Sequence, residues 1–189
     1  ISWRKNARKI RCNGLIFMIF GVKRPSEKPV SSAPGLSLPH TRNLMKKHIY
    51  CRHSFEIEVQ FFDVDAMHIV WHGNYVKYLE TARCAFLSAI GYDYNEMARQ
   101  GYSWPIVQMN LKYIRPARFG QKIRVDMEIV EIESCLRIDY TIYDAETNEK
   151  LTRASTTQAA VSLSDGLMQF QTPDSWLEAV KRHPTFQAV

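Results

Sequence analysis

The change of hydrophobic period between residues 54 and 90 constrains the fold more than any other feature of this sequence. Apolar and polar residues alternate from Phe55 to Phe61, which is the period of a half-buried β-strand. From Gly73 or Asn74 to Ile90, apolar residues instead recur every three or four positions, which predicts one long amphipathic helix. The sequence therefore predicts a strand, a short loop and the beginning of a helix, in that order.

The loop between the two periods carries two carboxylates, Asp63 and Asp65. The first turn of a helix leaves backbone N–H groups without partners and carries a partial positive charge. A carbonyl group bound there would be polarised, and an aspartate a few residues upstream would come within reach of its carbon. The pattern is compatible with attack on a carbonyl by Asp65 but does not by itself favour it, and Asp63 is the weaker candidate, expected to be structural. The alternative is that Asp65 is a loop carboxylate that caps the helix, with Asn74 as another candidate cap.

The chain after residue 104 has the pattern of β-strands. Four further strands are predicted, at residues 106–114, 122–133, 136–142 and 151–163. Their connections are too short for parallel crossovers, so an antiparallel sheet is expected. One apolar-faced helix lying on one antiparallel sheet gives an α+β domain. The sheet face that the helix leaves uncovered favours a partner subunit.

Two helical features complete the predicted domain. On the polar side of the long helix, Glu80 and Arg83 stand three residues apart, which predicts a weak surface ion pair. A closing helix is predicted from Pro173 to Lys181, with Thr172 as its cap.

Charge is distributed unevenly along the 189 residues. Residues 1–50 contain 11 Lys and Arg against one Asp or Glu, whereas residues 51–189 contain 14 against 18. Residues 1–44 are predicted to be a basic extension that is disordered or foreign to the native protein, and residues 45–189 one domain. A secretory signal is the alternative, but no small-residue cleavage site supports it. The apolar run within the extension is too short to span a membrane.

The composition also bears on which partners the protein can bind and on the cell compartment in which it is found. The excess of basic residues lies almost wholly in the extension, so the net charge of +6 is a weak argument for nucleic-acid binding. The four cysteines form no C-x-x-C pair, which leaves a zinc site or a dithiol motif without support. Free thiols are typical of a reducing compartment, and a cytoplasmic location is therefore expected.

Two motifs of the domain resemble those of a known family. Residues 63–66 and 69–75, which read Asp-Val-Asp-Ala and Ile-Val-Trp-His-Gly-Asn-Tyr before the long helix, resemble the signature of hotdog-fold acyl-CoA thioesterases of the 4-hydroxybenzoyl-CoA thioesterase family. Residues 113–120 are similar to that family's Tyr-x-x-Pro-Ala-x-x-Gly run. The match extends from about Ser54 to Leu163.

The resemblance implies a hotdog fold, in which an antiparallel five-stranded sheet wraps around one long central helix, assembled as a homodimer or as a dimer of dimers (a homotetramer). It implies that Asp65 is the catalytic carboxylate, acting as nucleophile or as general base. The backbone N–H that polarises the thioester carbonyl would belong to His72 or Gly73. Active sites would lie at the dimer interface, and no cofactor is implied.

Four further residues are candidates for substrate binding: His68, Trp71, Arg115 and Arg118. The two arginines, together with Lys112, have the charge to hold the phosphates of CoA. A metal site built from His68, His72 and the aspartates is conceivable on spacing, but a carboxylate suffices for the chemistry and no metal is predicted.

This chain departs from the family pattern at two places. Many relatives have Gly where His68 stands, and Gly-Asp where this sequence has Gly120-Gln121. The identity of the substrate therefore should not be copied from any one relative.

The predicted function is hydrolysis of an acyl-CoA to the free acid and CoA. An acyl-ACP thioesterase is one alternative, and a hotdog dehydratase that pairs His72 with Asp65 is another. A non-catalytic acyl-CoA-binding protein is a third alternative. The sequence selects neither an aromatic nor an aliphatic acyl group.

Overall fold

A computed structural model describes residues 10–12, 15–17 and 47–189 of the chain. Strands β1 (Ile10–Cys12) and β2 (Leu15–Phe17) pair as a short antiparallel hairpin. Residues 48–189 form a separate compact unit. Most of the predicted N-terminal extension lies outside the described residues, and its character stays a prediction.

The compact unit consists of one large sheet, a two-stranded sheet and three helices. Its elements in chain order are β3 (Cys51–Glu58), α1 (Asn74–Ala89), α2 (Tyr94–Arg99), β4 (Tyr102–Ser103), β5 (Ile106–Tyr113), β6 (Lys122–Glu131), β7 (Leu136–Asp144), β8 (Lys150–Gln158), β9 (Val161–Ser162) and α3 (Asp174–Lys181). The large sheet is antiparallel throughout and has the strand order β3-β6-β7-β8-β5. The predicted α+β architecture with five antiparallel strands is therefore confirmed.

Helix α1 packs on one face of the sheet, across β3 and β6. Alternate residues of β6 point to the helix and are almost completely buried, while the residues between them are polar and half-exposed. Leu79 and Phe86 of α1 are buried in return, and each such side chain contributes about 1.5–3 kcal/mol by leaving water. The alternation seen in the sequence thus defines the inner face of the sheet.

Strand β3 ends earlier than predicted. Its alternation runs to Phe61 and the predicted strand ends at Asp63, but β3 stops at Glu58 and residues 61–63 form a single 3₁₀ turn. The N–H of Gln60 donates to the Asp63 carboxylate at 3.0 Å, which closes the turn. Phe61 is consequently exposed rather than directed into the core.

The last strand and the last helix also differ from the prediction. The strand expected over residues 151–163 is interrupted, because β8 ends at Gln158 and the N–H of Ala159 turns away to donate to Pro105 O at 3.3 Å. Thr172 does not cap α3. Its hydroxyl donates to Ile132 O at 2.6 Å instead. The Thr172 side chain thus connects the segment before α3 to the residue that follows β6.

Arg83 lies in the core rather than on the exposed side predicted for it. Its residue is 5% exposed, and its guanidinium donates to the Glu80 carboxylate and, at 2.6 Å, to the Tyr94 hydroxyl. Burial raises the pKa of Glu80, but the hydrogen bonds from Arg83 and Tyr94 outweigh it and hold that pKa below its ordinary value. The predicted ion pair is present, but it is not the weak surface pair expected, because Arg83 is buried and also bonded to Tyr94 of α2.

Candidate active site

The segment between β3 and α1 folds back on itself as a small loop. Val64 and Val70 form an antiparallel bridge, and the N–H of Asp65 donates to Ile69 O at 2.9 Å. Buried Asp63 connects this loop to the helix, because its carbonyl accepts the N–H of Trp71 and the side-chain amide of Asn74, each at 2.9 Å. Two residues span at most about 7 Å, so Asp65 is held close to the beginning of α1.

Asp65 presents one carboxylate oxygen without a protein partner. Its Oδ1 accepts the N–H of Met67 at 2.8 Å, a local turn that fixes the side chain, whereas Oδ2 accepts no hydrogen bond from the described residues. The side chain is half-exposed. The helix-capping alternative is not what the structure shows, since the bond goes to the loop and not to α1.

His68 closes the Asp65 loop in a left-handed backbone conformation, with φ of 58°. That region is unfavourable by about 1–2 kcal/mol for residues other than glycine, although histidine is among the side chains enriched there. A glycine at this position would adopt the same backbone conformation without that cost. The His68 side chain is exposed.

The N-terminus of α1 carries unpaired backbone N–H groups. The residue before the helix is Gly73, which has no side chain to cap it, and Asn74 donates backwards to Asp63 rather than capping as predicted. Neither His72 nor Gly73 donates a backbone hydrogen bond to any described residue. These N–H groups combine with the partial positive charge of the helix terminus and suit a developing oxyanion.

Tyr113, the last residue of strand β5, fixes His72, which lies two residues before the first residue of α1. The Tyr113 hydroxyl donates to His72 O at 3.0 Å, and the Tyr113 ring packs edge-on against Tyr75 with ring centres 5.3 Å apart. The Tyr75 hydroxyl in turn accepts the N–H of Ala117 at 3.0 Å. Sequence analysis found Tyr113 and Ala117 only as motif positions and missed their part in positioning the helix terminus.

The two predicted CoA-binding arginines lie on the loop after β5. They line a surface cavity of about 510 Å³ together with Phe119 and Gln121. Arg115 is paired with Glu149 at 2.8 Å, and the Arg118 backbone forms a bridge with Ile69 in the Asp65 loop. The cavity is therefore adjacent to that loop, although Asp65, His72 and Gly73 do not line it.

Lys112 is separated from these arginines. It lines a different cavity of about 490 Å³ on the outer face of the sheet, beside Arg153, which is its register partner on β8. Within one chain the structure therefore does not bring Lys112 together with Arg115 and Arg118, and their joint binding of CoA phosphates stays a prediction.

Gln121, which follows Gly120, stabilises the loop that carries the two arginines. Its Oε1 accepts the N–H of Arg118 at 2.9 Å, and its Nε2 donates to the Asp144 carboxylate. Asp144 also accepts two backbone N–H groups of its own turn, and these bonds lower its pKa to about 2. Gln121 thus forms a polar link between the arginine loop and the turn that contains Asp144.

Within the described part of the chain, no group of three or more His, Cys, Asp or Glu side chains could hold a metal ion. None of the helices described there has the length and apolar character needed to cross a membrane.

Comparison with known proteins gives matches of both sequence and fold. The family model of the thioesterase-like superfamily matches residues 59–182. A putative esterase from Synechocystis sp. is 31% identical over 119 residues, which is 62% of this chain and 71% of that protein. A putative acyl-CoA thioesterase from Bacillus subtilis is 36% identical over 66 residues, or 35% of this chain and 48% of that protein.

A solved structure supports the fold. The crystal structure of a 1,4-dihydroxy-2-naphthoyl-CoA thioesterase from Synechocystis aligns with a TM-score of 0.64 at 23% identity, over 70% of this chain and 99% of that one. The predicted hotdog fold is confirmed. The narrower assignment to the 4-hydroxybenzoyl-CoA thioesterase family stays a prediction.

Proposed function

Because the chain belongs to the thioesterase-like superfamily, we propose that it hydrolyses acyl-CoA thioesters with Asp65 as the catalytic carboxylate. The predicted class of enzyme, a thioester hydrolase, is confirmed by that membership. The acyl-CoA substrate and the roles of individual residues are the proposed part.

One observation supports the proposal above the others. The Asp65 carboxylate is half-exposed and has an oxygen that accepts no hydrogen bond from the described residues. Asp65 lies two residues after Asp63, whose carbonyl accepts a hydrogen bond from the side chain of Asn74, the first residue of α1. The same helix terminus presents the unpaired N–H groups of His72 and Gly73. A thioester carbonyl oxygen bound to these N–H groups would place its carbon towards Asp65.

The reaction then needs only groups that this site supplies. Asp65 Oδ2 either attacks the carbonyl carbon or removes a proton from the attacking water. Negative charge develops on the carbonyl oxygen and is stabilised by the N–H groups at the helix terminus. Collapse of the tetrahedral intermediate breaks the carbon–sulfur bond, and the CoA thiolate leaves and takes up a proton. Where water attacks, the free acid forms directly; where Asp65 attacks, water then hydrolyses the mixed anhydride on Asp65, which gives the free acid and restores the carboxylate.

The remaining candidates have supporting roles in this proposal. Trp71 and His68 would border the acyl group, and Arg115 and Arg118 would bind phosphate groups of CoA. Arg118 is the better placed of the two, because Glu149 already neutralises Arg115.

Release of free thiol from a panel of short, long and aromatic acyl-CoAs tests the proposal. Asp65→Asn retains the oxygen that accepts the Met67 N–H and removes the charge, so kcat should fall at least about 100-fold with the fold intact. Asp165→Asn is the matched control, because Asp165 Oδ1 accepts the N–H two residues ahead, from Leu167 at 3.0 Å, in the same kind of turn. Near-normal turnover by Asp65→Asn would refute the assignment.

The same panel separates the alternatives. Acyl-ACP substrates, supplied with the same acyl groups, test the carrier, because preference for them at equal concentration would transfer the proposal to an acyl-ACP thioesterase. Binding of acyl-CoA without release of thiol would instead indicate a non-catalytic binding protein.

We also propose that the protein is a cytoplasmic homodimer or dimer of dimers. Strand β5 is an edge strand of the sheet, and its residues Ile106 and Val107 are each more than a third exposed. Pairing of two β5 edges would continue the sheet and cover these side chains. The cysteines Cys51 and Cys84 are free thiols, which suits a reducing compartment. Light scattering coupled to size exclusion measures the oligomeric state.

A further inference from the structure

The backbone carbonyl oxygen of Asp63 accepts two hydrogen bonds from the beginning of α1. The N–H of Trp71 and the side-chain Nδ2 of Asn74 each donate to it at 2.9 Å. A carbonyl oxygen has two lone pairs and cannot donate, so both of its acceptor positions are used and the Asn74 atom that faces it must be the amide nitrogen. Asp63 and Asn74 are each 4% exposed, and these bonds are therefore largely shielded from water.

The Asn74 side chain completes a ring of hydrogen bonds around one turn. The N–H of Asn74 donates to Trp71 O at 2.8 Å, which closes a four-residue turn with His72 and Gly73 as its two central residues. Asp63 O is bonded to both ends of that turn, through the Trp71 N–H at the first residue and the Asn74 side chain at the last. The turn is thus attached at both ends to one atom.

The central residues of this turn carry the N–H groups proposed to bind the thioester carbonyl. The N–H groups of His72 and Gly73 donate to no acceptor among the described residues. The Tyr113 hydroxyl supplies a third attachment, since it donates to His72 O at 3.0 Å. The direction of the two N–H groups is therefore set before a substrate binds. Donors that are already oriented stabilise an oxyanion strongly, because they need no reorganisation during the reaction.

The same oxygen is close in the chain to the proposed catalytic carboxylate. Asp65 follows Asp63 by two residues, which span at most about 7 Å, and the residue between them, Val64, forms a bridge with Val70. Asp63 O is therefore the junction between the loop that carries the carboxylate and the turn that carries the N–H groups. Asn74 supplies the side chain at that junction.

The direction of the Asn74 bond distinguishes it from an ordinary helix cap. A capping side chain accepts a hydrogen bond from an N–H of the first helical turn and so occupies one of the free donors. The Asn74 side chain instead donates away from the helix, and Gly73 before it has no side chain that could cap. This arrangement fixes the helix terminus while leaving its N–H groups available to a ligand.

We propose that Asn74 is a positioning residue for thioester hydrolysis at this site. Its side chain acts through Asp63 O and fixes the N–H groups of His72 and Gly73 relative to the Asp65 carboxylate. This inference rests on the proposed function, because the N–H groups and the carboxylate act together only on a bound carbonyl.

Asn74→Leu tests the role of the side-chain amide. Leucine has a similar shape and no donor, and the Trp71 N–H still donates to Asp63 O, so no buried acceptor is left without a partner. The turn loses one of its two attachments to that oxygen. In thiol release from the best acyl-CoA, kcat should fall about tenfold or more, as misplaced catalytic groups do. KM should change little, because the affected groups act on the transition state.

Amide hydrogen exchange separates positioning from a general loss of structure. In Asn74→Leu the N–H of Trp71 should lose protection, whereas that of Ile138 in central strand β7 should keep it. Asn74→Ala, with the best helix former, should behave in the same way. Asn95→Leu is the matched control, because Asn95 is the second residue of α2, is exposed and has no side-chain hydrogen bond among the described residues. It should equal the wild type in both measurements.

Each outcome decides the inference. Wild-type kcat in Asn74→Leu, or unchanged protection of Trp71, would overturn the role of Asn74 and leave the proposed function standing. Loss of Ile138 protection in both Asn74 variants would show a merely structural role and would also overturn it. Absence of thiol release by the wild type from every acyl-CoA would instead overturn the proposed function, and this inference with it.

Discussion

The Trp71 indole lies against the backbone of Gly73 and occupies the space that a side chain on residue 73 would need. A Cβ built on Gly73 would lie 2.1 Å from Cζ3 of the Trp71 indole. The φ of Gly73 is −68°, so its backbone conformation would accept a side chain, but the Trp71 indole would have to move to make room for it. The indole therefore lies directly beside one of the N–H groups proposed to bind the thioester carbonyl.

Gly73→Ala should displace the Trp71 indole and disturb the proposed oxyanion site. Misplacement by about 1 Å can cost about 100-fold in rate, so kcat/KM on the best acyl-CoA should fall by about 10-fold or more. Tryptophan fluorescence and thiol release measure the two effects. Gly73→Ala combined with Trp71→Ala relieves the clash, and this double variant should match Trp71→Ala alone. Full activity of Gly73→Ala would contradict the crowding argument.

Tyr113→Phe should loosen His72, two residues before α1, because it removes the hydroxyl that donates to His72 O. The lost hydrogen bond is worth about 1 kcal/mol or less in stability, and a several-fold fall in kcat is expected. Tyr143→Phe is the control, since the Tyr143 hydroxyl has no hydrogen-bond partner among the described residues and its ring contacts Arg124 and Lys150. Parallel steady-state kinetics compare the two variants, and equal effects would argue against a positioning role for Tyr113.

Arg83→Met should destabilise the protein, because it leaves the Glu80 carboxylate without its cation. Breaking a fully buried pair costs about 3–5 kcal/mol. We expect about 2 kcal/mol here, since the Glu80 side chain is 40% exposed and water screens part of its charge. Urea unfolding measures the change in the free energy of unfolding.

The chain contains a matched control for this pair. Arg99 and Glu96 have the same spacing in α2, but the Arg99 side chain is 75% exposed, so Arg99→Met should cost less than about 0.5 kcal/mol. Similar losses for both arginine variants would show that burial is not what gives the Arg83 network its strength.

Asp144→Asn should change the response of stability to acid. The pKa of Asp144 is lowered to about 2 in the folded protein from an ordinary value of 3.8, so its charge stabilises the fold above pH 4, and this contribution is lost as the pH falls towards 2. The wild type should therefore exceed the variant in stability at pH 6, and the difference should shrink by pH 3. Denaturant unfolding at both pH values measures it, and a constant difference would contradict the assignment.

The sequence was sufficient for the order of elements and for the position of the loop that carries Asp65. Period-two alternation in β3, β6 and β7 and the three-to-four spacing in α1 are consequences of which side chains leave water, and that information is local. Asp63 was correctly interpreted as structural, and the beginning of the helix at Asn74 was predicted to within one residue.

Contacts between distant segments determined what the sequence did not reveal. Arg83 is buried because α2 brings Tyr94 to it, Thr172 bonds to Ile132 from 40 positions away, and Tyr113 reaches His72 from another strand. A polar side chain has the same local pattern whether it faces water or a distant hydrogen-bond partner. The sequence by itself thus determined the five main strands, the long helix and the position of the Asp65 loop, and only the tertiary structure decided which polar groups are paired and which N–H groups remain free at the helix terminus.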